Sequence, residues 1–341
     1  MQTIDIICPV FEEEETIGLF HVKLSSIADE LSSRYSCRIF YVVDPSRDRT
    51  EAILKDICGS DPRVELLVMS RRFGHQLALI AGLDHSRGDA VVMLDCDLQH
   101  PPELIPQLVE IWEEGADVVQ CIRQDGAEQN LLKRWTSRFF YRVFLRLGDI
   151  ELSVGAADYR LLSRRVVDVL RAQLREHNPF LRGLVSWVGF KIVYVPFTPV
   201  QRERGKSKYS ASALINFALN GMCSFSKVPL RFCIGAGFIL AVTSILSAVI
   251  QLAIYFFGHF DVPGWASLFA TVSFIGGIQL FFLGVVGEYI GLIFDEVKNR
   301  PRYILDRHYQ NGRLVFIQDG EQKGTSTLID QFEDNEKGGS R

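Results

Sequence analysis

Among its seven cysteines, at positions 8, 37, 58, 96, 121, 223 and 233, the chain has no C-x-x-C pair. That removes the usual spacing of a zinc site and gives no disulfide framework. Several of these cysteines sit inside apolar runs, where the side chain acts as a small hydrophobe. An excess of basic charge is also missing. Lys+Arg total 37 against 41 Asp+Glu, a formal net charge of −4, which argues against a nucleic-acid partner. The opening Met1-Gln2-Thr3-Ile4-Asp5 lacks a signal-peptide pattern, so the large N-terminal part is expected in a reducing cytosol. Two long stretches lack charge altogether, residues 232–257 and 262–287. Each exceeds the roughly 20 residues needed to cross a bilayer and predicts a transmembrane helix. Between them lies only Gly258-His259-Phe260-Asp261, so the two form a hairpin. Lys227 and Arg231 precede it, Lys298, Arg300 and Arg302 follow it, and its loop has no Lys or Arg. By the positive-inside rule both termini are expected on the cytoplasmic side of a cell (inner or plasma) membrane.

Within what is present, one stretch organises the rest: Val91-Val92-Met93-Leu94-Asp95-Cys96-Asp97-Leu98-Gln99-His100. An apolar run suited to a buried strand ends in two carboxylates spaced i, i+2. Open α/β sheets bind ligands at the carboxyl edge of their strands. Alternation turns Asp95 and Asp97 to one side if the strand stays regular, and Gln99 continues the series. Hard oxygen donors so placed suit Mg²⁺ or Mn²⁺ with a substrate's phosphates. A strand-end turn with solvated acids is the plainer alternative.

Residues 3–10 read as a first strand ending near Pro9, then Phe11 and the acids Glu12 to Glu15 in the first turn of a helix reaching about Ser33. Pro9 and Phe11 shape a strand-to-helix turn suited to cupping a flat ring. Residues 37–43 are a second strand, after which Ser46 or Asp48 can cap the next helix. Asp44 is left at the strand end, either a turn residue or an acceptor for a base N–H or a ribose hydroxyl. Residues 63–69 form a third strand, followed by Arg71 and Arg72, either of which could meet a diphosphate, and a helix over 75–85. The fourth strand is the organising one. A helix follows from Pro101-Pro102 to about Glu114, then a strand over 117–121 leading to Arg123. Strands alternating with helices predict a mostly parallel sheet with helices on both faces.

Beyond about Glu128, Arg134, Arg138, Arg142 and Arg146 line one helix face opposite Leu131, Trp135, Phe139 and Val143. This reads either as a membrane-surface helix or as a core helix with a solvated stripe. Residues 153–160 place Asp158 in a small-residue segment. A helix over 161–174 and a strand over 191–197 follow. Five of the nine residues from Gln201 to Tyr209 are charged, Arg202 and Lys208 among them, a cationic loop able to close over phosphates. Residues 210–231 read as an interfacial helix. The tail 319–341 is polar and expected to be disordered. The expected domains are thus 1–209 catalytic, 210–231 interfacial, 232–294 transmembrane, 295–318 cytoplasmic and 319–341 tail.

A cytosolic carboxylate edge tied to a bilayer through basic segments suits sugar transfer from a nucleotide sugar to a lipid phosphate. The residues also resemble a known family. ICPVFEEEETI, VVDPSRDRT and LDCDLQHPPE resemble motifs of type-2 glycosyltransferases with the GT-A (Rossmann-like) fold. SRRFGHQLAL, VGAADYRLLSR, R-x-x-G-x-S-K-Y and the terminal helix pair narrow the resemblance to polyprenyl-phosphate glycosyltransferases, nearest the bacterial bactoprenol glucosyltransferases and related to dolichyl-phosphate mannose synthase. The resemblance spans about residues 3–307. It implies that Pro9, Phe11, Glu13, Asp44, Asp95 and backbone at Cys96 hold the nucleoside. Asp97 and Gln99, with Asp95 close by, hold Mg²⁺ or Mn²⁺. Arg123, Arg202 and Lys208 bind donor or acceptor phosphates, and Asp158 faces the acceptor as a candidate base. Asp97, Asp158, Arg202 and Lys208 are thus the expected catalytic set. Val43, Pro45 and Glu12 stand where the family usually has Asp or Asn, Gly, and Asn. The implied reaction is an inverting single displacement, with UDP-glucose as donor, undecaprenyl or another polyprenyl phosphate as acceptor, and a homo-oligomer as the working form. GDP-mannose as donor and an inactive membrane scaffold are the alternatives. A processive polysaccharide synthase would carry Q-x-x-R-W, and here Gln129 and Arg134-Trp135 have the wrong spacing.

Overall fold

The computed structural model describes residues 1–124, 155–199, 228–257 and 264–315. The Arg134 to Arg146 stripe, the loop with Arg202 and Lys208, most of the interfacial segment, the hairpin loop and the tail lie outside the described residues.

Among the described residues nine strands form one sheet: β1 (Gln2–Val10), β2 (Tyr35–Val43), β3 (Val64–Met69), β4 (Ala90–Met93), β5 (Val118–Arg123), β6 (Ala156–Ser163), β7 (Ile192–Phe197), β8 (Leu305–Gln310) and β9 (Arg313–Val315). Their order is β7-β5-β6-β4-β1-β2-β3-β8-β9. Only β6 and β8 run against the rest. The expected mostly parallel α/β sheet is what forms.

Central strands buried on both faces need apolar residues in both alternation phases. In β1, Ile4, Ile6, Cys8 and Val10 face one core and Ile7 the other. The first core is covered by α1 (Ile17–Leu31), α2 (Thr50–Ser60) and α4 (Ile105–Glu113), the second by α3 (His75–His85), α5 (Arg164–Ala172) and α6 (Leu181–Trp187). Helix α3 lies so close to β1 that a Cβ at Gly82 would sit 2.3 Å from Ile7 Cγ2. Glycine there lets α3, and the site residues at its N-terminus, rest directly on the sheet.

Three elements differ from the sequence expectation. Helix α1 begins at Ile17, so Glu12 to Glu15 precede its first turn instead of filling it. Glu13 instead accepts the Thr16 hydroxyl at 2.6 Å, and Glu14 accepts the Arg49 N–H at 2.9 Å. Residues 161–163 finish strand β6 rather than opening a helix, because Leu161 and Leu162 face opposite cores between β4 and β5. Residues 305–315, expected only as part of a cytoplasmic segment, return to the sheet and cover the edge of β3.

Helices α7 (Val228–Phe257) and α8 (Trp265–Lys298) are long and apolar enough to cross a membrane, with windows of mean hydropathy 1.8 in each. Thirty residues of α-helix span about 45 Å against a hydrocarbon core of about 30 Å. The last turns of α8 dock on the α/β domain. His177 donates its backbone N–H to Glu296 at 2.8 Å, and Asn178 bonds Asp295 at 3.4 Å. Asp84 then takes Arg175, Arg302 and the Tyr303 hydroxyl.

Candidate active site

The carboxyl ends of β1, β2 and β4 converge, as parallel neighbours must. Two of the turns leaving them bend through left-handed backbone at non-glycine residues, Glu12 (φ 53°) after β1 and Leu98 (φ 62°) after β4. Such conformations cost of order 1–3 kcal/mol and persist where the surroundings enforce them. The bend at Leu98 lets Asp97 accept the Gln99 N–H at 3.0 Å. The same loop closes on its base through His100. Its Nδ1 accepts the Asp95 N–H at 3.0 Å, and its ring stacks on Tyr159, whose hydroxyl donates to the Pro101 carbonyl at 2.9 Å.

Around this loop the structure gathers most of the residues expected from the sequence. The Cys96 thiol, its pKa pushed up by burial, donates to the Pro9 carbonyl at 3.1 Å, joining β1 to the acidic loop. Arg123, at the end of β5, reaches the Gln99 amide oxygen at 3.4 Å. Glu13 donates its N–H to the Thr50 hydroxyl at 2.9 Å and so lies against the start of α2. Phe11 carries the Arg72 guanidinium 3.9 Å over its ring. Asp44 is buried and accepts the N–H groups of Phe73 and Gly74 at 3.0 and 2.8 Å. Its carboxylate thereby fixes the turn into α3, where Gly74 has φ 95°.

Asp95 and Asp158 have different surroundings. Burial alone would raise the Asp95 carboxyl, but the charge of His75 holds it below the usual aspartate range. Its Oδ1 lies 2.6 Å from His75 Nε2. Burial by itself would lower His75, whereas the charge and hydrogen bond of Asp95, with Asp158 beyond, push it up to about 9. Asp158 sits deeper. Against a burial effect that would raise its carboxyl, Arg182, Arg160 and His75 hold it far below the usual range. Arg182 grips it with two bonds of 2.9 and 2.8 Å, and Arg160 adds one of 2.7 Å. Arg160 is fully buried, and its Nε and Nη1 have no hydrogen-bond partner among the described residues.

Asp95, Asp97 and Gln99 offer only oxygen donors. Among the described residues no group of three or more His, Cys, Asp or Glu side chains is placed to hold a metal ion by itself. Two carboxylates and an amide are what a hard divalent ion asks of a protein when substrate phosphates and waters complete its shell. The donor set therefore fits Mg²⁺ or Mn²⁺. His75, Gln76, Arg160 and Arg182 escaped the sequence reading. The SRRFGHQ segment was visible, but nothing marked its histidine as a neighbour of residues 20 and 83 positions further on.

The family model described as Glycosyl transferase family 2 matches residues 5–171. A bactoprenol glucosyl transferase of Shigella phage SfII is 40% identical over 308 residues, 90% of this chain and 98% of that protein. An uncharacterized glycosyltransferase, YkcC, of Bacillus subtilis (strain 168) is 39% identical over 311 residues, 91% of this chain and 95% of its own. Among solved structures, glucosyl-3-phosphoglycerate synthase from Mycobacterium tuberculosis aligns at a TM-score of 0.43 with 21% identity, over 65% of this chain and 76% of that one. That likeness is too remote to carry a ligand across.

Proposed function

Because the chain belongs to glycosyl transferase family 2 and is a glycosyltransferase of GT-A fold, we propose that it moves glucose from UDP-glucose onto a polyprenyl phosphate at the cytoplasmic face of a membrane. The observation that carries the acceptor is the 40% identity to a bactoprenol glucosyl transferase along 98% of that protein's length, helix pair included. The fold supports the sidedness. The chain leaves the sheet before α7 and returns to it as β8, so two crossings bring both ends of the sheet to one side. The basic residues flanking the hairpin favour the cytoplasm for that side.

In this reading Pro9, Phe11 and the turn held by Asp44 shape the nucleoside pocket, and Glu13 stands beside it. Asp95, Asp97 and Gln99 would hold the divalent ion, which spreads the charge building on the departing diphosphate. Arg123, anchored near Gln99, meets a phosphate of the donor. Arg202 and Lys208 are assigned to the acceptor phosphate from the sequence alone. An acceptor phosphate oxygen attacks the anomeric carbon as the bond to the diphosphate breaks, with inversion, and UDP leaves. A phosphate monoester has a second pKa near about 6, so near pH 7 the nucleophile is mostly ionised and needs little help from a base. Asp158, charge-paired with two arginines, is a poor proton acceptor and a good anchor.

Radiolabel transfer into chloroform-extractable lipid tests the proposal. Membranes containing the protein receive undecaprenyl phosphate and, in separate reactions, UDP-glucose, UDP-galactose, GDP-mannose and UDP-N-acetylglucosamine, each with and without EDTA. Label from UDP-glucose alone, abolished by EDTA, is expected. Label from another donor replaces the sugar, and no label from any donor with the protein folded overturns the acceptor.

A further inference from the structure

Asp158 spends both carboxylate oxygens on groups behind the site. Oδ1 takes Arg160 Nη2 and Arg182 Nε, while Oδ2 takes Arg182 Nη2 and, at 3.4 Å, the Gln76 amide. Its side chain is 6% exposed, against 31% for Asp95 and 27% for His75. This order runs outward from the buried pair to the open edge, with His75 between. One ring nitrogen of His75 lies 2.6 Å from Asp95 Oδ1, and the other lies 3.9 Å from Asp158 Oδ2. The Gln76 amide oxygen also accepts the Leu181 N–H at 3.2 Å, so the starts of α3 and α6 are joined beside the same pair.

We propose that His75 is a positioning residue for the donor edge: it fixes the Asp95 carboxylate through Nε2, and the Asp158–Arg182 pair fixes His75 from behind. Asp158 then reaches the reaction through His75 and Asp95 rather than by touching the acceptor. The inference rests on the donor-edge reading above. Its physical basis is the behaviour of outer-shell partners, which hold a metal-binding carboxylate in one rotamer and whose loss costs about 10–100-fold in metal affinity or activity. Without His75, Asp95 loses its 2.6 Å partner and keeps the more distant His100, 3.5 Å from Oδ2, as a weaker hold on its rotamer.

The test uses the full-length protein in detergent. Mn²⁺ binding in the presence of UDP is read from the free-ion signal in electron paramagnetic resonance, beside KM for each substrate. Wild type, His75→Ala, His75→Gln, Arg182→Lys and the His75→Ala/Arg182→Lys double variant are compared, with unfolding midpoints to verify folding. His75→Ala is expected to weaken Mn²⁺ binding about tenfold and to raise the donor KM while the lipid KM stays. His75→Gln, whose amide reaches nearly as far as Nε2, recovers most of the loss. Arg182→Lys weakens binding less, and in the His75→Ala background it adds nothing, since non-additivity marks residues acting through one another. Wild-type affinity in folded His75→Ala overturns the proposal, as does full additivity in the double variant. If folded wild type binds no Mn²⁺ with UDP, the donor-edge reading fails and takes this one with it. Wild-type binding with an unaffected His75→Ala sinks this inference alone.

Discussion

The two halves of the sheet handle acidic residues in opposite ways. On the β1–β2–β4 side, Asp95 keeps a part-exposed carboxylate between two histidines, His75 at 2.6 Å and His100 at 3.5 Å, and Asp97 bonds backbone. On the β6 side, Asp158 is buried and charge-balanced by two arginines. The same side chain thus meets different surroundings at two positions that flank one histidine, His75. An acid that is to hold a cation must keep negative charge to spare. One already neutralised by guanidinium groups holds up structure instead. Burial separates them: desolvation is tolerable for Asp158 only because its partners are built in.

This contrast breaks most visibly in a pair of isosteric changes. Asp97→Asn is expected to cut glycosyl transfer by about 10²–10³-fold, the usual cost of one electrostatic contact to developing charge, with the unfolding midpoint little changed. Asp158→Asn should do the reverse. It leaves Arg160 buried without its counter-charge, which costs about 3–5 kcal/mol of stability, while the folded fraction loses less transfer than Asp97→Asn. Equal, near-total loss of transfer in both folded variants would erase the distinction. A denaturant titration beside the lipid-extraction assay reads both quantities.

A smaller effect probes the link between the halves. The Tyr159 hydroxyl on β6 holds the Pro101 carbonyl in the acidic loop. Tyr159→Phe should lower stability by about 1 kcal/mol and raise the apparent donor KM. An unchanged donor KM would mean that the loop keeps its shape without β6. Smallest of all is a pH effect remote from both edges. Burial lowers the pKa of His21 and of His85 from 6.5, so the fold holds them neutral. Below about 6.5 the unfolded chain binds protons the folded chain refuses. The stability these residues support is present above that pH and declines as pH falls through their folded values. His75, pushed up to about 9, works the other way over this window, so the difference between variants is what isolates His21. Between pH 7.5 and 5.5 the melting point of wild type should fall relative to that of His21→Asn, and parallel changes in the two proteins would move the effect to other groups.

The β1–β2–β4 side was legible because its logic is local. The helix over 75–85 and the strand ends at Val10 and Val43 follow from runs of a few residues and stand where expected. The acidic stretch differs: β4 stops at Met93 and Leu98 turns left-handed, so Asp95, Asp97 and Gln99 sit in a turn and not on a regular alternating strand. The β6 side was not legible, because its meaning depends on pairing. Ala156–Ser163 has no β-branched residue, and its strand character comes from lying antiparallel between β4 and β5. His75, Asp95, Asp158 and Arg182 meet only once that pairing exists. Strand β8, with Asp306, Arg307 and His308 in six residues, has too little apolar pattern to announce itself. It is legible only as the partner of β3.

That last strand also sets an order of assembly. Leu305, the start of β8, comes 236 positions after Met69, the end of β3. At about 5–20 residues per second, a ribosome takes roughly 10–50 s to cover them. Throughout that interval β3 has a bare hydrogen-bonding edge, the kind that recruits stray strands. The closing strand emerges only after both apolar helices have been synthesised. The sheet is therefore completed last, by a segment whose arrival signals that the two long apolar helices have already been made.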